Sequence, residues 1–133
     1  MDINKQKSDL FCGISKILED IKIDFGGGCS VKKAYIMAML IKDYKIKTSI
    51  DIGVYRGRSL FPQAFVHKKY TNGIVYGVDP WRKENAYEND NIELKDKIKT
   101  FIDKTDFNLI FNEVNKYNNK FEKHCVLVRK TSQ

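Results

Sequence analysis

Cysteine and histidine are scarce in this chain, and neither is clustered. Cys12, Cys29 and Cys125 are odd in number and far apart, with no Cys-x-x-Cys pair, and His67 and His124 have no ligand-type neighbours. That spacing supports neither a zinc site nor a disulfide framework, so no metal is expected. Cys125 lies in an apolar run and reads as a core thiol. Long hydrophobic runs are missing too. The N-terminal Met-Asp-Ile-Asn-Lys has no apolar signal region, and no stretch approaches the ~18 apolar residues of a membrane span. No membrane association and a cytoplasmic location are therefore expected. Arginine is also sparse. Only Arg56, Arg58, Arg82 and Arg129 stand among the 24 basic residues, so the net charge of +7 rests on lysines spread along the chain. The scatter fits a lysine-, asparagine- and isoleucine-rich coding bias better than a designed basic face. Nucleic acid is accordingly admitted as a partner but not favoured.

What is present is enough for a folded domain. The chain has 133 residues, 42% of them hydrophobic and 12% aromatic, which suits one domain at most, small for an enzyme. Leu10, Phe11, Ile14, Ile17, Leu18 and Ile21 form one stripe at helical spacing, an amphipathic helix within residues 1–25 that is expected to pack on the sheet in preference to a partner subunit. Gly26-Gly27-Gly28 breaks the chain and reads as a linker rather than a phosphate loop, since no Lys-Ser/Thr follows it. Ser30 caps a second helix of about 31–45, whose nearly continuous apolar run from Ala34 to Ile41 predicts deep burial.

Thr48-Ser-Ile-Asp-Ile-Gly-Val-Tyr-Arg-Gly-Arg-Ser59 organises the rest. Ile50 and Ile52 alternate with polar residues as in a strand. Gly53 and Gly57 then allow a sharp turn with close backbone approach to a ligand, and Ser59 is placed to cap the next helix. That helix turns Leu60, Phe61, Ala64 and Phe65 inward and ends before Thr71-Asn72-Gly73. A second strand, Ile74 to Val78, ends in Asp79-Pro80-Trp81, where an acidic side chain can accept hydrogen bonds from both hydroxyls of a ribose. With a helix between them the two strands should be parallel and joined by a right-handed crossover.

Two more helical stripes follow. The first is Leu94, Ile98, Phe101 and Ile102; the second is Phe107, Ile110, Phe111, Val114 and Tyr117, with Thr105 or Asp106 as cap. This insert is longer than a crossover needs, and part of it is expected to cover a ligand cleft. A third buried strand, His124 to Arg129, closes the pattern. The fold class is α/β and Rossmann-like: three parallel strands with flanking helices.

The Gly53-x-x-x-Gly57-x-Ser59 loop is not the Gly-x-Gly-x-x-Gly of dinucleotide enzymes, and Asp51 beside it would repel a pyrophosphate while attracting a cation. Ile50-Asp-Ile-Gly-Val-Tyr-Arg-Gly-Arg-Ser59 together with Tyr76-Gly-Val-Asp-Pro-Trp81 resembles the first two motifs of class I S-adenosylmethionine-dependent methyltransferases. The likeness is to their small-molecule O-methyltransferase-like branch, and it covers roughly residues 26–133. It implies S-adenosyl-L-methionine as cofactor and a small-molecule acceptor. By the same likeness Asp51 would anchor the cofactor's amino-acid end, and Gly53 and Gly57 would admit its methionyl and ribose parts. Ser59 would cap the helix and touch the carboxylate, Asp79 would hold the ribose, Pro80 and Trp81 would flank the adenine or ribose, and Ser132 would approach the adenine.

A complete fold of that family has seven strands, and only the first three are recognisable here. The expectation is a cofactor-binding half, truncated after the third strand, with no nameable catalytic base and poor turnover alone. Its first strand would then be an open edge, available to a second copy or a complementing chain. The alternatives are a nicotinamide- or flavin-dependent oxidoreductase, which the missing third glycine and Asp51 disfavour, and a non-catalytic interaction or nucleic-acid-binding module.

Overall fold

A computed structural model describes residues 2–23, 28–86 and 92–132, with the side chains of 92–95 outside the description. Gly26, Gly27 and the side chain of Leu94, all invoked above, fall outside the described parts. In chain order the elements are α1 (Ile3–Asp20), α2 (Val31–Asp43), β1 (Thr48–Ile52), α3 (Leu60–Val66) and β2 (Ile74–Val78), then α4 (Ile92–Lys104), α5 (Phe107–Asn118) and β3 (Cys125–Val128). A π-helical turn, His67–Thr71, extends α3. It ends at Asn72, whose left-handed backbone (φ 54°) reverses the chain into β2.

The three strands form one parallel sheet in the order β1-β2-β3. This is the α/β architecture that the strand and helix signals predict. The order has a consequence. Both crossovers step in the same direction, and right-handed crossovers that step the same way lie on the same face of the sheet. The helices therefore cover Ser49, Asp51, Val75, Gly77, Cys125 and Leu127. The opposite face carries Ile50 and Ile52, which are 62% and 65% exposed. A parallel sheet is ordinarily covered on both faces. Here the described residues cover one.

The covered side is densely packed. Leu60, Phe61, Ala64 and Val66 of α3 are fully buried, and Pro62 and Gln63 are buried with them, so α3 is enclosed all round. Phe61 stacks on Phe121 at 5.3 Å between centroids and meets Tyr117 at 4.8 Å, which ties α3 to α5. Asp106, the second of the two candidate caps, accepts the Leu109 amide at 3.0 Å and starts α5. Ser30 likewise caps α2 through the Lys33 amide at 3.2 Å.

Three expectations need correction. Helix α1 packs on α2 and α3, in a second helical layer, and not on the sheet. Gly13 allows this approach, because a Cβ there would lie 2.3 Å from the Phe65 ring. Helix α2 is buried along Ala34, Ala38 and Ile41 only; Ile36 and Leu40 are 48% and 49% exposed, since a neighbour lies on one side of the helix and its continuous apolar run covers both. Ser59 does not cap α3. Its backbone is already helical (φ −93°, ψ −29°), and the carbonyl of Gly57 accepts the Phe61 amide at 2.9 Å instead.

Candidate functional site

The C-terminal ends of β1 and β2 lie side by side, and each releases a strained turn. After β1, Gly53 (φ 82°), Tyr55 (φ 52°) and Gly57 (φ 92°) all take left-handed backbone, and after β2 so does Trp81 (φ 44°). For Tyr55 and Trp81 that geometry is unfavourable by about 1–2 kcal/mol each and must be held by other bonds. Asp79 provides them. Its Oδ2 accepts the Tyr55 amide at 2.9 Å and its Oδ1 accepts the Trp81 amide at 2.7 Å. The Trp81 indole Nε1 returns a bond to the Tyr55 carbonyl at 2.8 Å. One carboxylate and one indole thus lock the two turns together.

Arg129, just beyond β3, braces the second turn from outside. It donates to the carbonyls of Pro80 (3.3 Å) and Trp81 (3.2 Å) and to the Asn108 amide oxygen, while its guanidinium stacks over Phe111 at 4.5 Å. The Trp81 ring is 1% exposed and lies 5.0 Å from Phe111. It is a core anchor, and its ring does not face open space.

Between the turns is a cleft of about 370 Å³, at the lower end of the size range of small-molecule sites. Gly53, Asp79, Pro80 and Ser132 line it, together with Ile52, Tyr55, Arg82, Asn85, Phe107 and Thr131. Four of the eight residues singled out from the sequence therefore meet in one cleft, although more than half of the chain separates the first from the last. A Cβ on Gly53 would have no atom within 4 Å, so this glycine is required by its backbone angle and leaves the floor of the cleft bare. Gly57 does not line the cleft. Its missing Cβ makes room for the Phe61 ring, 2.4 Å from where that atom would be.

Asp51 and Ser59 form a second pair behind the loop. The Ser59 hydroxyl donates to Asp51 Oδ2 at 2.7 Å. Burial pushes the Asp51 carboxyl above its ordinary value; the Ser59 bond opposes this, and the negative Asp79 nearby adds to it. Two neighbouring carboxylates, Asp79 lining the cleft and Asp51 behind the loop, make an environment that attracts cationic groups. On the far side of Ser59 a groove of about 420 Å³ is lined by Gly28, Cys29, Lys33, Ile36 and Met37.

A larger open hollow of about 860 Å³ runs beside the cleft, past Arg82, Lys83, Asp103, Lys104 and Asp106. Its charges compensate one another, as in the Lys83–Asp103 pair at 3.4 Å. The smaller cleft is the better candidate, because strain, bare backbone and an anchored carboxylate converge on it. Among the described residues no group of three or more His, Cys, Asp or Glu is placed to hold a metal ion. No described helix is long and apolar enough to cross a membrane.

The cleft also contains residues that the sequence did not single out. Tyr55 stands inside the loop motif, and its ring meets Phe107 edge-on at 6.4 Å. Phe107 has a core residue's place in the α5 stripe, and Asn85 lies in a polar stretch with no pattern to single it out. No family model and no curated protein matches the chain, which stands as a small α/β domain with a three-stranded parallel sheet.

Proposed function

We propose that the chain binds S-adenosyl-L-methionine at the Gly53–Asp79 cleft and is the cofactor-binding part of a methyltransferase for a small-molecule acceptor. The observation that carries this reading is the convergence of Gly53, Asp79, Pro80 and Ser132 on one cleft at the C-terminal ends of two adjacent parallel strands, where α/β sheets hold their ligands. In this reading the free lone pairs of Asp79 accept the ribose hydroxyls, while the bare backbone at Gly53 lets the sugar and sulfur approach. Pro80 and Ser132 border the base. Asp51, with Ser59 fixing its carboxylate, faces the ammonium end. Trp81 and Gly57 act from behind, through turn geometry and packing.

The cofactor supplies an electrophilic methyl group on a sulfonium. The protein has then to orient it and exclude water. Among the described residues that line the cleft, Asp79 is the one carboxylate, and both its oxygens already accept backbone amides, so no catalytic base is assigned.

Calorimetric titration with S-adenosyl-L-methionine, S-adenosyl-L-homocysteine and NAD tests the reading. Saturable binding of the first two and none of NAD is expected. Tighter binding of NAD would return the assignment to an oxidoreductase. A non-catalytic interaction module is the second reading, favoured by the uncovered face that bears Ile50 and Ile52.

A further inference from the structure

The open edge of β1 is oriented in a particular way. The Lys47 carbonyl accepts the Ile74 amide at 2.8 Å, and the Gly53 amide donates to the Val78 carbonyl at 2.9 Å, so both ends of the odd-numbered series turn toward β2. Along a strand the N–H and C=O directions alternate with period two. Thr48, Ile50 and Ile52 therefore turn their amides and carbonyls to the open side. The same alternation puts their side chains on the uncovered face, where Ile50 and Ile52 are exposed. Unpaired main chain and bare apolar side chains thus coincide on the same three residues. Lysine, proline and bulge, three of the usual protections of an edge strand, are absent from Thr48–Ile52, whose one charge, Asp51, turns to the covered face.

We propose that β1 is a docking edge for an extended acidic polypeptide segment with apolar residues at alternate positions, bound by strand addition. Main-chain bonds to Thr48, Ile50 and Ile52 would supply affinity, and the alternate apolar side chains would lie beside Ile50 and Ile52. A second copy of this chain fits less well. Two chains of +7 repel each other. The bare face of three short strands also spans only about 200 Å² by strand spacing and rise, far below the ~800 Å² per partner of a stable interface. Charge favours an acidic segment at the start of β1, where exposed Lys45 precedes the strand in a chain of net charge +7. The proposal is independent of what the Gly53–Asp79 cleft binds.

Panning a random-peptide display library against the full 133-residue chain, with an Ile50→Pro chain as counter-selection, tests this. Proline at 50 removes an outward amide and no bond to β2, a position where edge strands tolerate it. Its fold is checked by circular dichroism and urea midpoint, and Ile50→Glu, whose charge repels an acidic segment, replaces it should it unfold. Enriched peptides should alternate apolar residues and carry acidic residues at the end that meets Lys45, bind the variant at least about tenfold more weakly (~1.4 kcal/mol), and slow hydrogen exchange at the Thr48, Ile50 and Ile52 amides. Three results would overturn the proposal: no enrichment over the counter-selection, binders that leave those three amides unprotected, or a dimer in sedimentation equilibrium that already protects them without peptide.

Discussion

The Asp79 carboxylate accepts the Tyr55 amide across 2.9 Å, from a residue held in left-handed backbone on the neighbouring turn. Asp79 therefore holds the cleft in shape before it touches any ligand. The usual test of an acidic ribose-binding residue, its replacement by alanine, confounds the two roles. Asp79→Ala should lose two charge-assisted bonds and about 2–4 kcal/mol of stability in urea unfolding, with ligand binding lost as a consequence. Asp79→Asn keeps one acceptor and should cost about half as much. Titration of the unchanged protein with a 2′-deoxyribose analogue of S-adenosyl-L-homocysteine isolates the ligand contact, and affinity about tenfold lower is expected.

The two glycines of the loop should respond differently to alanine. At Gly53 the backbone angle is the only obstacle, so Gly53→Ala should cost about 1–2 kcal/mol. At Gly57 the same strain is joined by a clash with the Phe61 ring, and the loss should exceed 3 kcal/mol, roughly the sum of strain and overpacking. Paired urea titrations read the difference. Equal losses would contradict the packing described.

Arg58 is almost fully buried and donates to the carbonyls of Leu18 (2.8 Å), Ile21 (3.0 Å) and Cys29 (3.2 Å). It closes the C-terminal end of α1 and fastens that helix beside the loop. Arg58→Ala should destabilise the chain by about 3 kcal/mol, because three carbonyls lose a charged donor. Arg58→Lys should recover little, since one ammonium cannot reproduce the fork. Hydrogen exchange in α1 should quicken in both variants.

Acid should weaken the fold through His67. This ring is fully buried, with Nε2 at 2.9 Å from the Ser49 hydroxyl and Nδ1 at 2.8 Å from that of Thr71. Burial first, then the charges of His124 and Lys47, lower its proton affinity below the ordinary histidine value. The unfolded chain therefore takes up a proton near pH 6.5 that the folded chain resists. The stability due to neutral His67 is full above that pH and is lost as pH falls from it toward the folded value. Unfolding free energies measured from pH 8 down to pH 5 should decline below about 6.5. The decline should be shallower in His67→Gln, itself about 1–3 kcal/mol less stable at neutral pH.

The parallel strands and the two turns were legible in the sequence, because alternation, glycine pairs and Asn-Gly punctuation are local signals. Asp79 was legible as a cleft residue for a related reason, since it directly follows a strand at the end where ligands bind; Ser132, beyond the end of β3, was named by the family resemblance. What was not legible depended on neighbours. Ser59 has the composition of a cap, but Asp51, eight residues earlier, takes its hydroxyl. Trp81 follows a motif that invites a ligand, yet Phe111 on α5 encloses its ring. The exposed side of α2 was hidden by its own composition, since a run apolar all round cannot say which side lacks a neighbour.

The most direct test of the central claim is a ¹H–¹⁵N correlation spectrum of the labelled chain titrated with S-adenosyl-L-homocysteine. The account predicts saturable shifts concentrated at the amides of Gly53, Tyr55, Asp79 and Ser132, with Thr48, Ile50 and α1 unmoved. Absence of shifts from a well-dispersed spectrum at millimolar ligand, or shifts clustered away from those four amides, would contradict it.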